Sequence, residues 1–370
     1  MSYNASWMNP PATIATVSRS SKHVKLERET ELRIEVSDTP LKLRVLNGTA
    51  EIFGFELPPG TWLTFPSCLK LAVFTRYGAT IEMDGATETD YTADETQMVS
   101  YLNVHAILNA RRRVAQASES TQGPRVIVVG PEDSGKRTLT KTLINWAAKE
   151  AWKPTFVDLD VIQGSVSMPG SVTTTPIETP LDLAEGFPLD MPFVYYYGHT
   201  KPGTNVELYK ATVKELAGVL ERQFSWEQCV SSCWYARSCR IQEYFYGLSK
   251  ELSPYANTCS FSDVKVFRVG GGPQAPRSAL PIGSEPVSDP LKVTPVGIDD
   301  RDVLHSILAV SYAQEPEQIV SSNVSGFVYV TDVNVQRKTI TYLAPSQGTL
   351  PKKFLVAGSL SWLEIHYKER

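Results

Sequence analysis

Residues 124–148 restrict the fold more than any other part of the chain, because they have the strand, loop and helix order of a phosphate-binding loop. The apolar run Val126–Val129 predicts a buried strand, and the glycine-bounded stretch Gly130–Gly135 predicts a loop. The helix that follows is indicated by an apolar stripe at helical spacing, namely Leu139, Leu143 and Ala147. A strand that ends at a helix N-terminus in this way predicts a domain built on a parallel sheet.

The loop residues have the chemistry of a nucleotide triphosphate site, with one exception. Glycines let successive backbone N–H groups and the helix N-terminus point at the phosphates, and Lys136 adds a cation for the outer phosphates. The signature continues with Ser or Thr, whose hydroxyl binds Mg²⁺, but this chain has Arg137 there. ATP binding is therefore better supported than catalysis. Thr138 either supplies the hydroxyl through a local shift or is an ordinary helix residue, and we favour the second interpretation.

The composition is that of an ordinary globular protein, with 42% hydrophobic and 21% charged residues. At 370 residues the chain is too long for one ordinary core, so we expect two or three domains. A net charge of -4 excludes a generally basic nucleic-acid coat. Five cysteines without disulfide spacing indicate a reducing compartment, and no apolar run reaches the roughly 18 residues of a membrane helix. We therefore expect a soluble intracellular protein without a membrane partner.

The residues before the loop predict an N-terminal β-domain over 23–102, preceded by a flexible N-terminus over 1–22. Its predicted strands are Glu31–Val36, Leu41–Leu46, Ala50–Phe53, Leu69–Phe74 and Thr80–Met83. A linker helix is expected within 103–123, and it carries the basic run Arg111–Arg113. We favour a solvated helix face for this run over the alternative, which is contact with RNA or a partner.

The central domain, 124–252, should continue with a strand over Pro154–Asp160 that ends in acids. Carboxylates at the C-terminal end of a parallel strand face the ligand crevice, where one can hold the water shell of a metal or accept a proton. We choose Asp160 over Asp158, because Asp158 alternates with neighbours that should point into the core; the alternative is a surface acid at a strand end. The Ser-, Thr- and Pro-rich residues 164–180 are expected to form a loop.

The glycine turn over 198–205 should open a helix that extends to about Arg222. This turn is either a second phosphate site or a simple N-cap made by Thr204 or Asn205, and local sequence does not separate the two. The C-terminal domain, 253–370, is expected to be an α+β module. Its predicted elements are strands at 264–269, 291–295, 325–331 and 338–343, with one helix at 301–310.

Several further segments resemble one family of proteins. They are Leu26–Arg33, Gly48–Gly54, Asp158–Gly170, Pro202–Asn205, Glu243–Gly247 and Phe261–Lys265. Together with the loop, they are similar to the RNA 5′-hydroxyl polynucleotide kinase family of the nuclear pre-mRNA cleavage and polyadenylation machinery, the Clp-type subunit of cleavage factor II. The resemblance runs from about residue 26 to near the C-terminus. It implies a multi-domain α/β protein with an N-terminal β-sandwich, a P-loop kinase-like core and a C-terminal domain.

The resemblance also implies roles for particular residues. Glu31 and Lys70 match nucleotide contacts of the N-terminal domain. The phosphate loop is matched by Asp133, Ser134, Gly135, Lys136, Arg137 and Thr138. Asp160 matches a catalytic acid near the metal and the RNA 5′-hydroxyl, and Lys136 would stabilise the transferred phosphoryl group. Candidate ligands of Mg²⁺ are Thr138 and Asp160.

Two further elements carry implied roles. An RNA-phosphate clamp is matched by Thr200, Thr204 and Asn205. Arg237 and Arg240, at positions i and i+3, match a lid helix that brings cations over the transferred phosphate, and solvated helix arginines are the equal alternative.

The chain departs from the family in two places. Arg137 replaces the hydroxyl that binds the metal. In addition, residues 224–239 must cover a stretch that contains several strands and helices in the family, so the parallel core is expected to be shortened to about three or four strands. Either the missing strands leave apolar surface exposed, or this is a divergent or alternatively spliced form that persists through its partners.

The sequence therefore predicts an ATP-binding nuclear subunit of the pre-mRNA 3′-end cleavage and polyadenylation complex that acts mainly as an interaction platform. Its partners would be other subunits of that machinery, including the cleavage factor II scaffold subunit, and RNA. The alternative is an active kinase that transfers the ATP γ-phosphate to an RNA 5′-hydroxyl. Arg137 and the shortened core favour weak or no activity.

Overall fold

The computed structural model describes residues 21–118, 121–130, 134–162, 164–183, 186–187, 192–223, 229–232, 237–247, 252–270, 289–298 and 303–362; of residues 223, 229–232 and 237–240 it describes only the backbone. The chain divides into two compact units. The first contains the residues up to Glu51 together with Glu56–Thr96, and the second contains Ile52–Phe55 and the residues from Gln97 onward.

The N-terminal residues form the β-sandwich that the sequence predicted. Its strands are β1 Lys22–Leu26, β2 Thr30–Val36, β3 Leu41–Gly48, β4 Glu51–Ile52, β5 Phe55–Glu56, β6 Leu63–Phe65, β7 Lys70–Thr75, β8 Ala79–Asp84 and β9 Thr87–Ala93. They form two sheets, in the orders β1-β8-β3-β6 and β5-β4-β7-β2-β9. Leu32, Ile34 and Val36 alternate along β2 and are buried in the core, which is the period of a half-buried strand. Strand β9 was not predicted, because it is an edge strand with no buried residue.

The second unit begins with helix α1 and contains a five-stranded mixed sheet. The elements are α1 Met98–Gln116, β10 Arg125–Ile127, α2 Lys136–Lys149, β11 Thr155–Asp158, β12 Ser171–Pro176, β13 Phe193–Tyr196, α3 Val206–Gln223, β14 Cys229–Ser232 and α4 Arg237–Tyr246. The sheet order is β10-β14-β11-β12-β13. The first three strands are parallel, as expected for a P-loop core, while β12 and β13 are antiparallel to their neighbours.

The prediction of a loop over residues 164–180 is wrong in part, because strand β12 lies within it. Ser171, Val172 and the three threonines that follow are all buried. β-Branched Val and Thr favour strands, and burial on both faces removes the polar alternation that would have indicated one. With this strand the sheet has five members rather than three or four.

The prediction of a buried strand over Val126–Val129 is also wrong in part. Strand β10 ends at Ile127, and the side chains of Ile127 and Val129 are 71% and 80% exposed. In the described residues β10 pairs only with β14, so it is an edge strand. An apolar cavity of about 290 Å³ lies beside it, lined by residues that include Val126, Val157 and Leu216. Among the described residues, apolar surface is therefore exposed at this edge.

The C-terminal region is a seven-stranded sheet. Its strands are β15 Tyr255–Ser260, β16 Lys265–Val269, β17 Val293–Val296, β18 Ser306–Ser311, β19 Val324–Asn334, β20 Thr339–Ala344 and β21 Phe354–Ser361, in the order β15-β20-β19-β18-β21-β16-β17. The predicted helix at 301–310 is wrong, since β18 occupies its second half. All six residues of β18 are buried, and a short, continuously apolar run does not distinguish a central strand from a buried helix.

The mixed sheet and the C-terminal sheet share one hydrophobic core. The ring of Tyr196 in β13 meets Phe327 in β19 edge-on at 5.6 Å, and the hydroxyl of Tyr244 in α4 accepts a 2.9 Å hydrogen bond from the Phe327 backbone N–H. Gly358 in β21 approaches so closely that an added Cβ would lie 2.1 Å from the Gly198 carbonyl oxygen. The two sheets therefore form one body that fixes the turn after β13.

Candidate phosphate-binding site

The phosphate loop ends at helix α2 as predicted. Gly135 is the N-cap and has a left-handed φ of 77°, which glycine adopts at little cost. The Leu139 N–H donates to the Gly135 carbonyl at 2.9 Å, so the first helical turn is regular. An added Cβ at Gly130 would lie 2.9 Å from the Ser134 hydroxyl oxygen, so a larger residue there would require the Ser134 side chain to move. Lys136 is 7% exposed, and Asp133 lies outside the described residues.

Two buried carboxylates follow β11. Asp158 is fully buried, and its two oxygens accept hydrogen bonds from the backbone N–H groups of Asp160, at 3.0 Å, and Ser165. Burial raises the pKa of Asp158 to about 6, while these hydrogen bonds and the charge of Arg137 lower it. Asp158 therefore shapes the turn after the strand. The alternative of a surface acid at this strand end is wrong.

Asp160 differs from Asp158 in having an oxygen available. It is 2% exposed, and its Oδ1 accepts a 2.9 Å hydrogen bond from the Ile162 N–H. Its buried Oδ2 has no hydrogen-bond partner among the residues that the structure describes. A buried oxygen in this state is costly unless a ligand or water supplies the donor, so Asp160 has the property expected of a binding or catalytic acid.

Sequence reasoning missed two hydroxyls next to Asp160. The antiparallel register of β11 and β12 places Thr173 opposite Asp158, and its continuation places Ser171 opposite Asp160. Each of these hydroxyls is buried and lacks a hydrogen-bond partner within the described part of the chain. Directly opposed residues share a face, so three polar oxygens without partners lie on one face at the strand end. No local signal identified these two hydroxyls, because strand register depends on which strands pair.

The residues present do not fit the usual P-loop magnesium site. Arg137 takes the position of the metal-binding hydroxyl, and its Nε is buried, so its side chain turns inward. Both oxygens of Asp158 already accept backbone hydrogen bonds. The regular first turn of α2 shows no shift that would bring Thr138 to the position after Lys136. Of the two predicted Mg²⁺ ligands, Thr138 and Asp160, Asp160 is the one whose buried Oδ2 has no hydrogen-bond partner among the described residues.

The turn predicted as an RNA clamp is anchored to the C-terminal sheet. Asn205 Oδ1 accepts a 3.0 Å hydrogen bond from the Leu208 N–H, which is the geometry of an N-cap, and Asn205 Nδ2 donates to the Pro290 carbonyl at 2.7 Å. The sequence left open a phosphate site or a simple N-cap at this turn, and the N-cap made by Asn205 is observed. Thr204 is exposed and Thr200 is half-buried. Their contact with RNA stays a prediction.

The predicted nucleotide contacts of the N-terminal unit lie on one face of its second sheet. Glu31 is buried and accepts hydrogen bonds from Arg33 at 2.6 Å and from Thr96 at 2.7 Å. Lys70 is exposed and its Nζ lies 2.7 Å from Glu35 Oε1, which raises the pKa of Lys70. Because Lys70 is opposite Glu35, it lies four residues along β2 from Glu31, or about 13 Å. Each residue is thus paired within the sheet rather than with the other.

The predicted lid arginines lie on helix α4. Arg237 begins this helix and Arg240 follows one turn later, so the predicted helix is present. Their side chains lie outside the described residues. Their role over a transferred phosphate stays a prediction.

Helix α1 contacts α2 through a buried polar network. Glu150, just after α2, accepts hydrogen bonds from Asn109 Nδ2 at 2.6 and 2.7 Å and lies 2.9 Å from His105 Nε2. Arg112 is 2% exposed and donates to Asn109 Oδ1 at 2.6 Å, and burial lowers the pKa of Arg112 to about 10. The prediction of a solvated basic run is therefore correct for Arg111 and Arg113 and wrong for Arg112, which sits on the inner face of the helix.

None of the helices that the structure describes is long and apolar enough to cross a membrane. Within the same residues, no group of three or more His, Cys, Asp or Glu side chains is arranged to hold a metal ion.

Fold and site together define a P-loop protein with an N-terminal β-sandwich and a C-terminal sheet. Three family models match it: the N-terminal beta-sandwich domain of polyadenylation factor over 25–115, the mRNA cleavage and polyadenylation factor CLP1 P-loop over 130–233, and pre-mRNA cleavage complex II protein Clp1 over 252–364. "Protein CLP1 homolog" from Arabidopsis thaliana is 60% identical, with 98% of this chain and 100% of the relative covered. "Polyribonucleotide 5'-hydroxyl-kinase Clp1" from Homo sapiens is 36% identical, with 92% and 96% covered. The chain belongs to the Clp1 family.

Two similar solved structures are complexes of Clp1p with Pcf11p. One is described as the wild-type complex and has a TM-score of 0.76 at 20% identity, covering 94% of this chain and 99% of the other. The second, whose description includes ATP loss in a glycine-to-arginine mutant, has a TM-score of 0.75 at 21% identity, covering 94% and 100%. At this identity the likeness shows the fold.

The alignments show that the chain lacks internal residues of its relatives. The Arabidopsis relative aligns over 442 positions, and 98% of the 370 residues here supply about 363 of them, so about 79 positions have no counterpart. The human relative gives about 72 in the same way, from 412 positions and 92% coverage. The shortening inferred from the sequence is therefore real relative to both proteins.

Proposed function

We propose that this protein is an ATP-binding subunit of the nuclear pre-mRNA 3′-end cleavage and polyadenylation machinery, and that it acts mainly as an interaction platform. One arrangement carries the proposal. Helix α2 begins at Lys136, directly after Gly135, whose φ is left-handed. Buried Asp160 lies just beyond the end of the neighbouring strand β11. Backbone donors, a helix N-terminus and a lysine bind phosphates without needing the missing hydroxyl. Relatives named as mRNA cleavage and polyadenylation proteins supply the biological context.

ATP binding should depend on Lys136. The change Lys136→Ala should weaken binding by about 1.5–3 kcal/mol, or roughly 10- to 150-fold, because it removes a charge-assisted hydrogen bond to phosphate. Isothermal titration calorimetry measures the affinity. Lys210→Ala is the matched control, since Lys210 is an exposed lysine on helix α3 whose Nζ lies 2.9 Å from Glu207 Oε1. Equal affinity of the wild type and Lys136→Ala would remove the basis of the proposal.

The platform role predicts that ATP supports partner capture. A bound nucleotide stabilises the conformation that binds it, so partner recovery should fall when ATP binding is lost. Tagged wild-type protein should recover cleavage-factor subunits, including a protein related to the Pcf11p of the similar complexes, from nuclear extract. Lys136→Ala should recover less and Lys210→Ala the same amount. Full recovery of the partners by a Lys136→Ala protein that no longer binds ATP would show that partner binding does not depend on the nucleotide.

The alternative function is RNA 5′-hydroxyl phosphorylation, and the available Oδ2 of Asp160 favours it. In that reaction Asp160 accepts the hydroxyl proton, the hydroxyl oxygen attacks the γ-phosphorus, and ADP leaves. Lys136, Arg237 and Arg240 would stabilise charge on the transferred group. Arg137 and the exposed edge of β10 count against efficient turnover, because phosphoryl transfer depends on positioning and charge.

A further inference from the structure

Arg137 occupies an informative position in the phosphate site. It is the second residue of α2, so its backbone N–H is one of the donors that a helix leaves free at its N-terminus. Side chains of a helix tilt toward its N-terminus, which is the end where the phosphates would bind. The residue as a whole is half-buried, and its Nε is buried rather than solvated, so the side chain lies against the protein at this end of the helix.

Asp158, the acid at the end of β11, is fully buried. Its two oxygens accept hydrogen bonds from the backbone N–H groups of Asp160 and Ser165, so it serves to shape the turn after the strand. A divalent cation placed here would meet a guanidinium where it normally meets a hydroxyl.

Arg137 adds one permanent positive charge beside that of Lys136, whereas a bound Mg²⁺ would add two. Guanidinium is planar, permanently charged and able to donate two parallel hydrogen bonds to phosphate oxygens. The guanidinium can therefore neutralise part of the phosphate charge and contact the phosphate oxygens directly. It does not impose the octahedral geometry of a bound Mg²⁺.

The geometry points to nucleotide binding without a divalent cation, with the Arg137 guanidinium at the phosphates in place of Mg²⁺. This inference rests on the proposed function and specifies the ligand as metal-free ATP. A site of this kind binds and holds a nucleotide, while the metal that positions phosphates for transfer is absent.

Calorimetry with ATP in EDTA and with ATP in excess Mg²⁺ tests the inference on the unaltered protein. The affinity of the wild type for ATP in EDTA should be within about threefold of its affinity in excess Mg²⁺. Arg137→Ser restores the signature hydroxyl and removes the charge, so its binding should become about tenfold or more weaker in EDTA than in Mg²⁺. Arg137→Lys keeps the charge and should remain indifferent to Mg²⁺. Circular dichroism and thermal melting without nucleotide establish that each variant is folded.

The outcomes are distinct. Wild-type binding that appears only with Mg²⁺, or a Mg²⁺ response of Arg137→Ser no larger than that of the wild type, would overturn the inference while leaving ATP binding intact. Absence of ATP binding in both solutions would overturn the proposed function itself, and this inference with it.

Discussion

The two acids after β11 show how much single residues differ within one short segment. Strand alternation places Asp158 and Asp160 on the same face, so the difference between them lies in their hydrogen bonds: both oxygens of Asp158 accept backbone N–H groups, whereas Oδ2 of Asp160 has no partner among the described residues. The sequence could not show that Ser171 and Thr173 lie opposite these acids, because register depends on which strands pair. Nor could it show that Arg112 would be buried beside Asn109, since helix periodicity does not identify the neighbour that covers a face.

His105 should make stability depend on pH. Burial holds the pKa of His105 below its ordinary value, against the opposing effect of Glu150, and Arg112 also lowers it. The folded state thus binds fewer protons than the unfolded state, so stability is fully present above the ordinary histidine pKa of about 6.5 and falls as pH drops below it. Asn109 and Trp146 are the other groups packed against the ring.

Denaturant unfolding at pH 7.5 and 5.5 measures this dependence. His105→Gln should lose less stability between these pH values than the wild type, and the residual slope should include His199, whose pKa burial also lowers. A His105→Gln protein with the wild-type slope would show that His105 does not carry this dependence.

At the scale of elements, periodicity predicted those with one buried face and failed for those buried on both. Strand β2 and helices α1 and α2 were predicted because apolar residues recur at the strand or helix period. Strands β12 and β18 were missed because all but one of their twelve residues are buried, which leaves no alternation to read. The α2 N-terminus was predictable because glycine and lysine spacing encodes it directly.

The turn between β4 and β5 should be sensitive to added volume. Gly54 has a left-handed φ of 79°, and an added Cβ would lie 2.8 Å from the Thr142 carbonyl oxygen of α2. Asn145 Nδ2 donates to the neighbouring Phe53 carbonyl at 2.8 Å, so the turn cannot easily move away. Gly54→Ala should therefore cost about 2–4 kcal/mol of unfolding free energy, from backbone strain and steric overlap together.

Gly60→Ala is the matched control for Gly54→Ala. Gly60 has a similar φ of 71°, but an added Cβ would meet nothing within 4 Å. Only the backbone strain remains, so Gly60→Ala should lower the free energy of unfolding by about 1–2 kcal/mol. Urea unfolding of both variants gives the difference, and equal losses would mean that the contact with α2 adds nothing.

At the scale of the whole molecule, the chain is shorter than its relatives and its phosphate-loop strand lies at the edge of the described sheet. About 79 positions of the Arabidopsis relative have no counterpart, and Ile127 and Val129 of the phosphate-loop strand are exposed. The sequence predicted this loss from the short segment over 224–239, but not that the phosphate-loop strand would become the sheet edge. Edge position depends on strand order, which is a property of the assembled sheet. On the proposed function, the site on this sheet is expected to bind ATP and to transfer its phosphate slowly.

A kinase assay with γ-labelled ATP and a short 5′-hydroxyl RNA tests this central claim most directly. Under conditions in which calorimetry shows ATP bound, the account predicts turnover at least about a hundredfold below the roughly 1 per second of an ordinary kinase. Arg137→Ser, measured in parallel with Mg²⁺, separates the two causes: a rise in rate assigns the loss to the hydroxyl, and an unchanged rate assigns it to the shortened core. Labelled RNA formed by the wild type at about 1 per second or faster would contradict the account.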